Sequence, residues 1–267
     1  MTVTRRDLLG IAAATGIAGA GIDGLAAGRA LAEAASVAAL PSLIVAGGGH
    51  LRALMAALDK TPRRRDFKEV PMILASAEQW DHAGLSLLMR YPAQPKQVWD
   101  NTAIEGPWLN LMRNSLNAQI WAFKHPDFLV LSATHGSAHL ALYDQYLWDK
   151  YGLAKLTAGK FPRNTLLQIP EAAHADAEDF ERLSGVFSPK DNSIPTLQAR
   201  GVVFLACHNA IFEISAKLHA NGVNPDKLSV PQMTAEFTNH LIAGAVLTPG
   251  IVGTLPELGR AGFQYAK

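Results

Sequence analysis

The chain has 267 residues, 49% of them hydrophobic and 18% charged, with 24 Lys+Arg against 23 Asp+Glu. Such a composition excludes a disordered chain and a polytopic membrane protein. It also argues against nucleic acid or an anionic lipid surface as partner, because both demand a basic excess.

The N-terminus reads as a targeting segment. Thr4-Arg5-Arg6-Asp7-Leu8-Leu9 carries paired arginines, and a weakly apolar Ala/Gly-rich stretch runs from Leu8 to Ala20. Ala30-Leu31-Ala32 then offers small residues at a cleavage site. The stretch is too soft for a spanning helix, and Asp23 would be costly inside one. The reading is a twin-arginine signal over residues 1–32, cleaved to release a periplasmic protein with no membrane span. Cleavage removes three arginines and two aspartates and leaves the mature chain with no net formal charge. One cysteine, Cys207, rules out an internal disulfide, so burial alone must hold the core.

Residues 33–95 form an N-terminal extension of mixed character. Gly47-Gly48-Gly49 is a break, Leu51–Leu58 has helical spacing, and Arg63-Arg64-Arg65 reads as a solvated loop. Glu78–Met89 reads as a helix, and the prolines of 91–95 as a linker. From residue 96 the pattern is regular. Gln97–Asp100 is a strand, Trp108–Phe123 a helix, and Phe128–Leu131 a strand buried on both faces. His135-Gly136-Ser137 breaks the chain before a helix over Ala138–Tyr151, ended by Gly152. Residues 153–193 are polar, with an acidic helix expected over Ala172–Leu183. Next come a short helix (Ile194–Arg200), a buried strand (Gly201–Ala206) with Cys207 at its end, and a helix over Ala210–Ala220. An apolar run at Gly244–Leu247, a helix from Pro249 to Leu258 and a strand at Gly262–Tyr265 close the chain. Strands alternating with helices predict an α/β fold with a small, open, mostly parallel sheet and helices on both faces. Ligands of such sheets collect beyond the carboxyl ends of the strands, where His135 and Cys207 both fall.

Four stretches in order resemble the DsrE/DsrF-like family of sulfur-relay proteins. They are Gln97–Asp100 with Asn114–Ala118; Asp127–Leu131 with His135-Gly136-Ser137-Ala138; Gly201–Asn209 with Cys207; and Val246–Gly250 with Leu255–Leu258 and Gly262–Tyr265. The resemblance spans roughly residues 96–267. It implies a DsrE-like domain, trimeric or hexameric assembly, and a persulfide-carrying cysteine at Cys207. The chain departs from the family in its export segment, in its extension before residue 96, and in insertions near 153–193 and 223–242.

The residues themselves offer a matching chemistry. A cysteine between a strand end and a helix start meets unpaired N–H groups that favour a thiolate. His135 and His208 are then candidates to orient Cys207 and supply protons. Gly136, Ser137, Asn209 and His240 are candidate ligand contacts. Without a second cysteine, the resolving thiol must come from a small sulfur compound or a thiol partner. His135, His139, Cys207 and His208 together make a soft donor set, but their spacing matches no ligand motif, so no metal is assigned and no cofactor is named. His50 follows three glycines but lacks the Lys and Ser/Thr of a phosphate loop. No Gly-x-Ser-x-Gly elbow and no opposed pair of carboxylates occurs. The alternative expectation is a non-catalytic protein that holds a small ligand or metal in the same His/Cys pocket.

Overall fold

The computed structural model describes residues 40–169, 179–190 and 192–267. The export segment and residues 172–178 of the expected acidic helix lie outside them; residues 179–183 form turns rather than helix. Among the described residues no helix is long and apolar enough to cross a membrane.

Five parallel strands form one sheet: β1 (Lys96–Asn101), β2 (Leu129–Thr134), β3 (Val203–Cys207), β4 (Val246–Thr248) and β5 (Gln264–Ala266). Their order is β4-β3-β2-β1-β5. The α/β architecture with an open parallel sheet is therefore as the alternation of strands and helices predicts.

Side chains alternate across the pleat, so each strand feeds two cores. Val98, Leu131, Leu205 and Cys207 point to one face. There they meet Leu51, Leu54 and Leu58 of α1 (Gly49–Asp59), Leu85 and Leu88 of α2 (His82–Met89), and two residues from near the C-terminus, Ile251 and Leu258. Val130, Phe204, Ala206 and Leu247 point to the other face. That face is covered by α3 (Trp108–Asn117), α4 (Gln145–Tyr151), α5 (Ile194–Ala199), one side of α6 (His208–Ala220) and α7 (Val230–Asn239). The sheet is wrapped on both faces, which is why its inner strands read as unbroken apolar runs. The first core is completed by α8 (Ile251–Arg260).

The segment before residue 96 is thus part of the domain, since α1 and α2 build one helical layer. Gly201 permits the fit: it sits at φ +88°, and a Cβ there would come within 2.7 Å of Leu51 Cδ2. Asp81, just before α2, closes the edge of β4. Its backbone N–H donates to Leu247 O at 3.0 Å, and its Oδ2 accepts from Leu247 N at 2.7 Å. Arg65 clasps the same carboxylate in a bidentate pair at 3.2 and 2.8 Å. The basic run is therefore not simply a solvated loop, because one of its three arginines anchors the sheet edge.

The expected helix over Ala138–Tyr151 is two pieces. A 3₁₀ helix runs from Gly136 to Leu142, and α4 starts afresh with Asp144 Oδ1 accepting from Leu147 N at 3.1 Å. Between them Tyr143 bridges to Leu241. A tertiary pairing and a capping carboxylate override the continuous helical spacing.

Candidate functional site at the carboxyl edge of the sheet

The strands end at Asn101, Thr134, Cys207 and Thr248, and the chain continues from each into a turn or helix. Cys207 is the N-cap of α6 and is 4% exposed. Its Sγ accepts a hydrogen bond from the backbone N–H of Ile251, in the first turn of α8, at 3.3 Å. The first turn of α6 makes no capping hydrogen bond to the thiol, although its Ala210 and Asn209 N–H groups favour the anionic form. Two helix N-termini therefore adjoin one sulfur. Burial is the larger effect and pushes the thiol above its ordinary range; the Ile251, Ala210 and Asn209 N–H groups pull the other way, and Glu213 adds to the rise.

The expected imidazole partners lie elsewhere. His135 points along the edge to β1, where Nε2 meets Asp100 Oδ1 at 2.7 Å. The phenol of Tyr265 donates to Asp100 Oδ2 at 2.7 Å. Burial works to raise the Asp100 carboxyl, yet the bonds from Tyr265 and His135 outweigh it and hold the group below its usual range. His208 is fully buried, and its Nε2 donates to Pro71 O at 2.9 Å and Met72 O at 3.1 Å. It fastens the 71–72 loop instead of facing Cys207. Burial lowers its pKa, with the two carbonyls pulling the other way.

The imidazole at Cys207 belongs to His139, whose Nε2 accepts from the Cys207 backbone N–H at 3.0 Å. His139 therefore carries its proton on Nδ1, which is buried without a partner. Complete burial pushes its pKa down to about 3, so the ring stays neutral. The sequence placed His139 on the helix that follows His135 but gave no sign of this role, because the contact spans 68 positions.

Among the remaining candidates, Gly136 is required by the backbone. It lies at φ +56°, and a Cβ would come within 2.6 Å of Thr102 O. Ser137 Oγ accepts from Ile104 N at 3.1 Å and fixes the β1 turn. His240 is remote from Cys207 in its contacts: Nδ1 meets Asp144 Oδ2 at 2.6 Å, and its ring stacks on Tyr146 at 4.8 Å. Asn209 does face a cleft. About 490 Å³ in volume, it runs between the 73–74 loop, α2 and α8, and is lined by Ile73, Trp80, Met89, Asn209, Gly250 and Glu257, among others. Gly250 precedes the residue that donates to Sγ, so Cys207 sits directly behind the cleft's wall.

Among the described residues, no group of three or more His, Cys, Asp or Glu side chains is placed to hold a metal ion. No protein family, curated protein or solved structure matches this chain, so its assignment rests on its own residues and geometry.

Proposed function

We propose that the protein is an exported sulfur-handling thiol protein of the DsrE/DsrF-like kind, with Cys207 as its carrier of sulfane sulfur. The observation that supports this reading is the hydrogen bond from the Ile251 N–H, at the start of α8, to Sγ at 3.3 Å, on a residue that is itself the N-cap of α6. A thiol that only packs a core needs no donors; a sulfur that passes through an anionic form does. At rest, burial keeps the thiol protonated and protected. The Ile251 N–H sits where charge develops when Cys207 acts as a thiolate, at Sγ.

In the loading step the Cys207 thiolate attacks the terminal sulfane sulfur of a polysulfide. The Sγ–S bond forms, the S–S bond breaks, and the shortened sulfide leaves with its electron pair. No outside oxidant is consumed. Unloading onto an acceptor thiol needs a second molecule, since Cys207 is the chain's single cysteine. His139 positions Cys207 by holding its backbone N–H. His135 and His208 are assigned to the framework of the edge, with Asp100 and the 71–72 loop as their partners.

Mass spectrometry of the intact protein after incubation with inorganic polysulfide tests the reading. One added sulfur is expected, absent in Cys207→Ala. No added sulfur in the folded wild type rejects the carrier role. One observation favours a second reading, a binding protein without thiol chemistry: Sγ lies behind the cleft's wall rather than in its lining. On that reading Cys207→Ala leaves ligand binding intact. Homo-oligomeric assembly and periplasmic location belong to the same proposal and are read by sedimentation and cell fractionation.

A further inference from the structure

The cleft beside Cys207 has a chemical character of its own. Trp80, Met89 and Ile73 form an apolar wall, and Gly250 and Gly253 leave part of the opposite side bare of side chains. Glu257 is the sole charged residue in the lining, and it is an acid whose nearest basic group is Arg260, 3.6 Å away on the exposed side of α8. A volume of about 490 Å³ falls within the range typical of small-molecule sites. Anions are poorly served by such a lining, since it offers a carboxylate and no basic side chain.

The boundary between this cleft and Cys207 is thin. The Asn209 side chain packs on Gly250, where a Cβ would come within 2.8 Å of Nδ2. Asn209 is exposed, and among the described residues no side-chain hydrogen bond holds its amide. Asn209 follows Cys207 by two residues and Gly250 directly precedes Ile251, the donor to Sγ, so the cleft's lining here adjoins the sulfur's own neighbours in the chain.

We infer that the cleft selects the sulfur donor: an organic hydropersulfide with an apolar, uncharged body, in preference to inorganic polysulfide. This inference rests on Cys207 as the carrier. The organic body lies along Trp80 and Met89, with its S–SH end passing Asn209. The Cys207 thiolate attacks the terminal sulfur of R–S–SH, the Sγ–S bond forms, and the S–S bond breaks. The thiolate R–S⁻ departs with the electron pair and takes up the proton that Cys207 lost. Cys207 is left as the hydropersulfide.

The test compares loading rates of Cys207 by benzyl hydropersulfide and by inorganic polysulfide, in wild type and in Gly253→Leu. Nothing lies within 4 Å of a Cβ at Gly253, and the residue is helical, so leucine fills the cleft without straining the fold. A thermal melt confirms that the variant is folded. The expected result is loading at least about tenfold faster from the organic donor, with that preference lost in Gly253→Leu because organic loading falls further than inorganic loading; tenfold corresponds to about 1.4 kcal/mol of selective binding. Equal rates in wild type, or a preference that survives the leucine, overturn the inference and leave the carrier reading standing. If neither donor loads Cys207, the carrier reading fails, and calorimetry of neutral benzyl alcohol with Cys207→Ser protein decides the cleft. Binding that Gly253→Leu abolishes supports a site for apolar organic molecules; no heat of binding overturns it.

Discussion

His139 Nε2 holds the backbone N–H of Cys207 at 3.0 Å, joining the turn after β2 to the start of α6 across the end of the sheet. This bond, not a side-chain contact between histidine and thiol, is how an imidazole reaches the cysteine. It leaves Sγ to the Ile251 N–H.

Replacing His139 by alanine leaves that N–H unpaired in a buried setting. The expected loss of stability is about 1–3 kcal/mol for the unmet donor, with more for the cavity. Urea unfolding measures it. A change under about 0.5 kcal/mol contradicts the positioning role.

The same residue sets a pH dependence. Its folded-state pKa is pushed down to about 3, below the unfolded value of 6.5, so the unfolded chain binds the extra proton between those limits. The neutral ring's contribution is present above about pH 6.5 and is lost as pH falls toward 3. His139 alone contributes a slope of up to about 1.4 kcal/mol per pH unit. In His139→Gln the loss of stability between pH 6.5 and 4 is shallower than in wild type; identical slopes contradict the assignment.

Tyr265→Phe removes the phenol that donates to Asp100 Oδ2. Since that bond and the one to His135 hold the carboxyl down against burial, the Asp100 pKa rises in the variant. Carbon-detected NMR titration of the carboxylate reads this directly. Tyr265 is 58% exposed, so the stability cost is small, at most about 1 kcal/mol.

Gly136→Ala is expected to be costly. The position combines a left-handed backbone with a Cβ 2.6 Å from the Thr102 carbonyl oxygen. About 1–3 kcal/mol is expected for the conformation alone, and the clash with backbone adds to it. Gly253→Ala, in open space within α8, is neutral or stabilising by up to about 1 kcal/mol. Reversal of that order in chemical denaturation contradicts the account of the edge.

Much of the sheet was legible because its inner strands are buried on both faces, so Leu129–Leu131 and Val203–Ala206 stand out as apolar runs. Cys207 was legible too, as the residue between such a run and a helix. Its surroundings were not. Strand alternation sends Cys207 toward α8, while His208, one residue on, turns to the 71–72 loop; a sequence shows them adjacent and says nothing of the divergence. The partners His139 and Ile251 lie 68 and 44 positions away, and the contacts exist only once β2, β3 and β4 are side by side. The pairing of Asp81 with Arg65 is not legible either, because its purpose is to close a sheet edge formed 166 residues later.

The resting thiol should resist iodoacetamide near pH 7 and react faster as pH rises above the ordinary thiol range, because burial raises its pKa. In denaturant, where burial is lost, labelling becomes fast at lower pH. Rapid labelling of the folded protein well below pH 8 contradicts the described environment.

On the proposed function, the fold makes one buried sulfur a carrier with the help of the Ile251 N–H. The most direct measurement is the extent and lifetime of sulfur loading on Cys207 in folded protein, compared with the same chain in denaturant and read by intact mass. Loading that is retained longer in the folded state, and absent from Cys207→Ala, is the predicted result. Sulfur taken up only by the unfolded chain would contradict it and leave Cys207 as a packing residue.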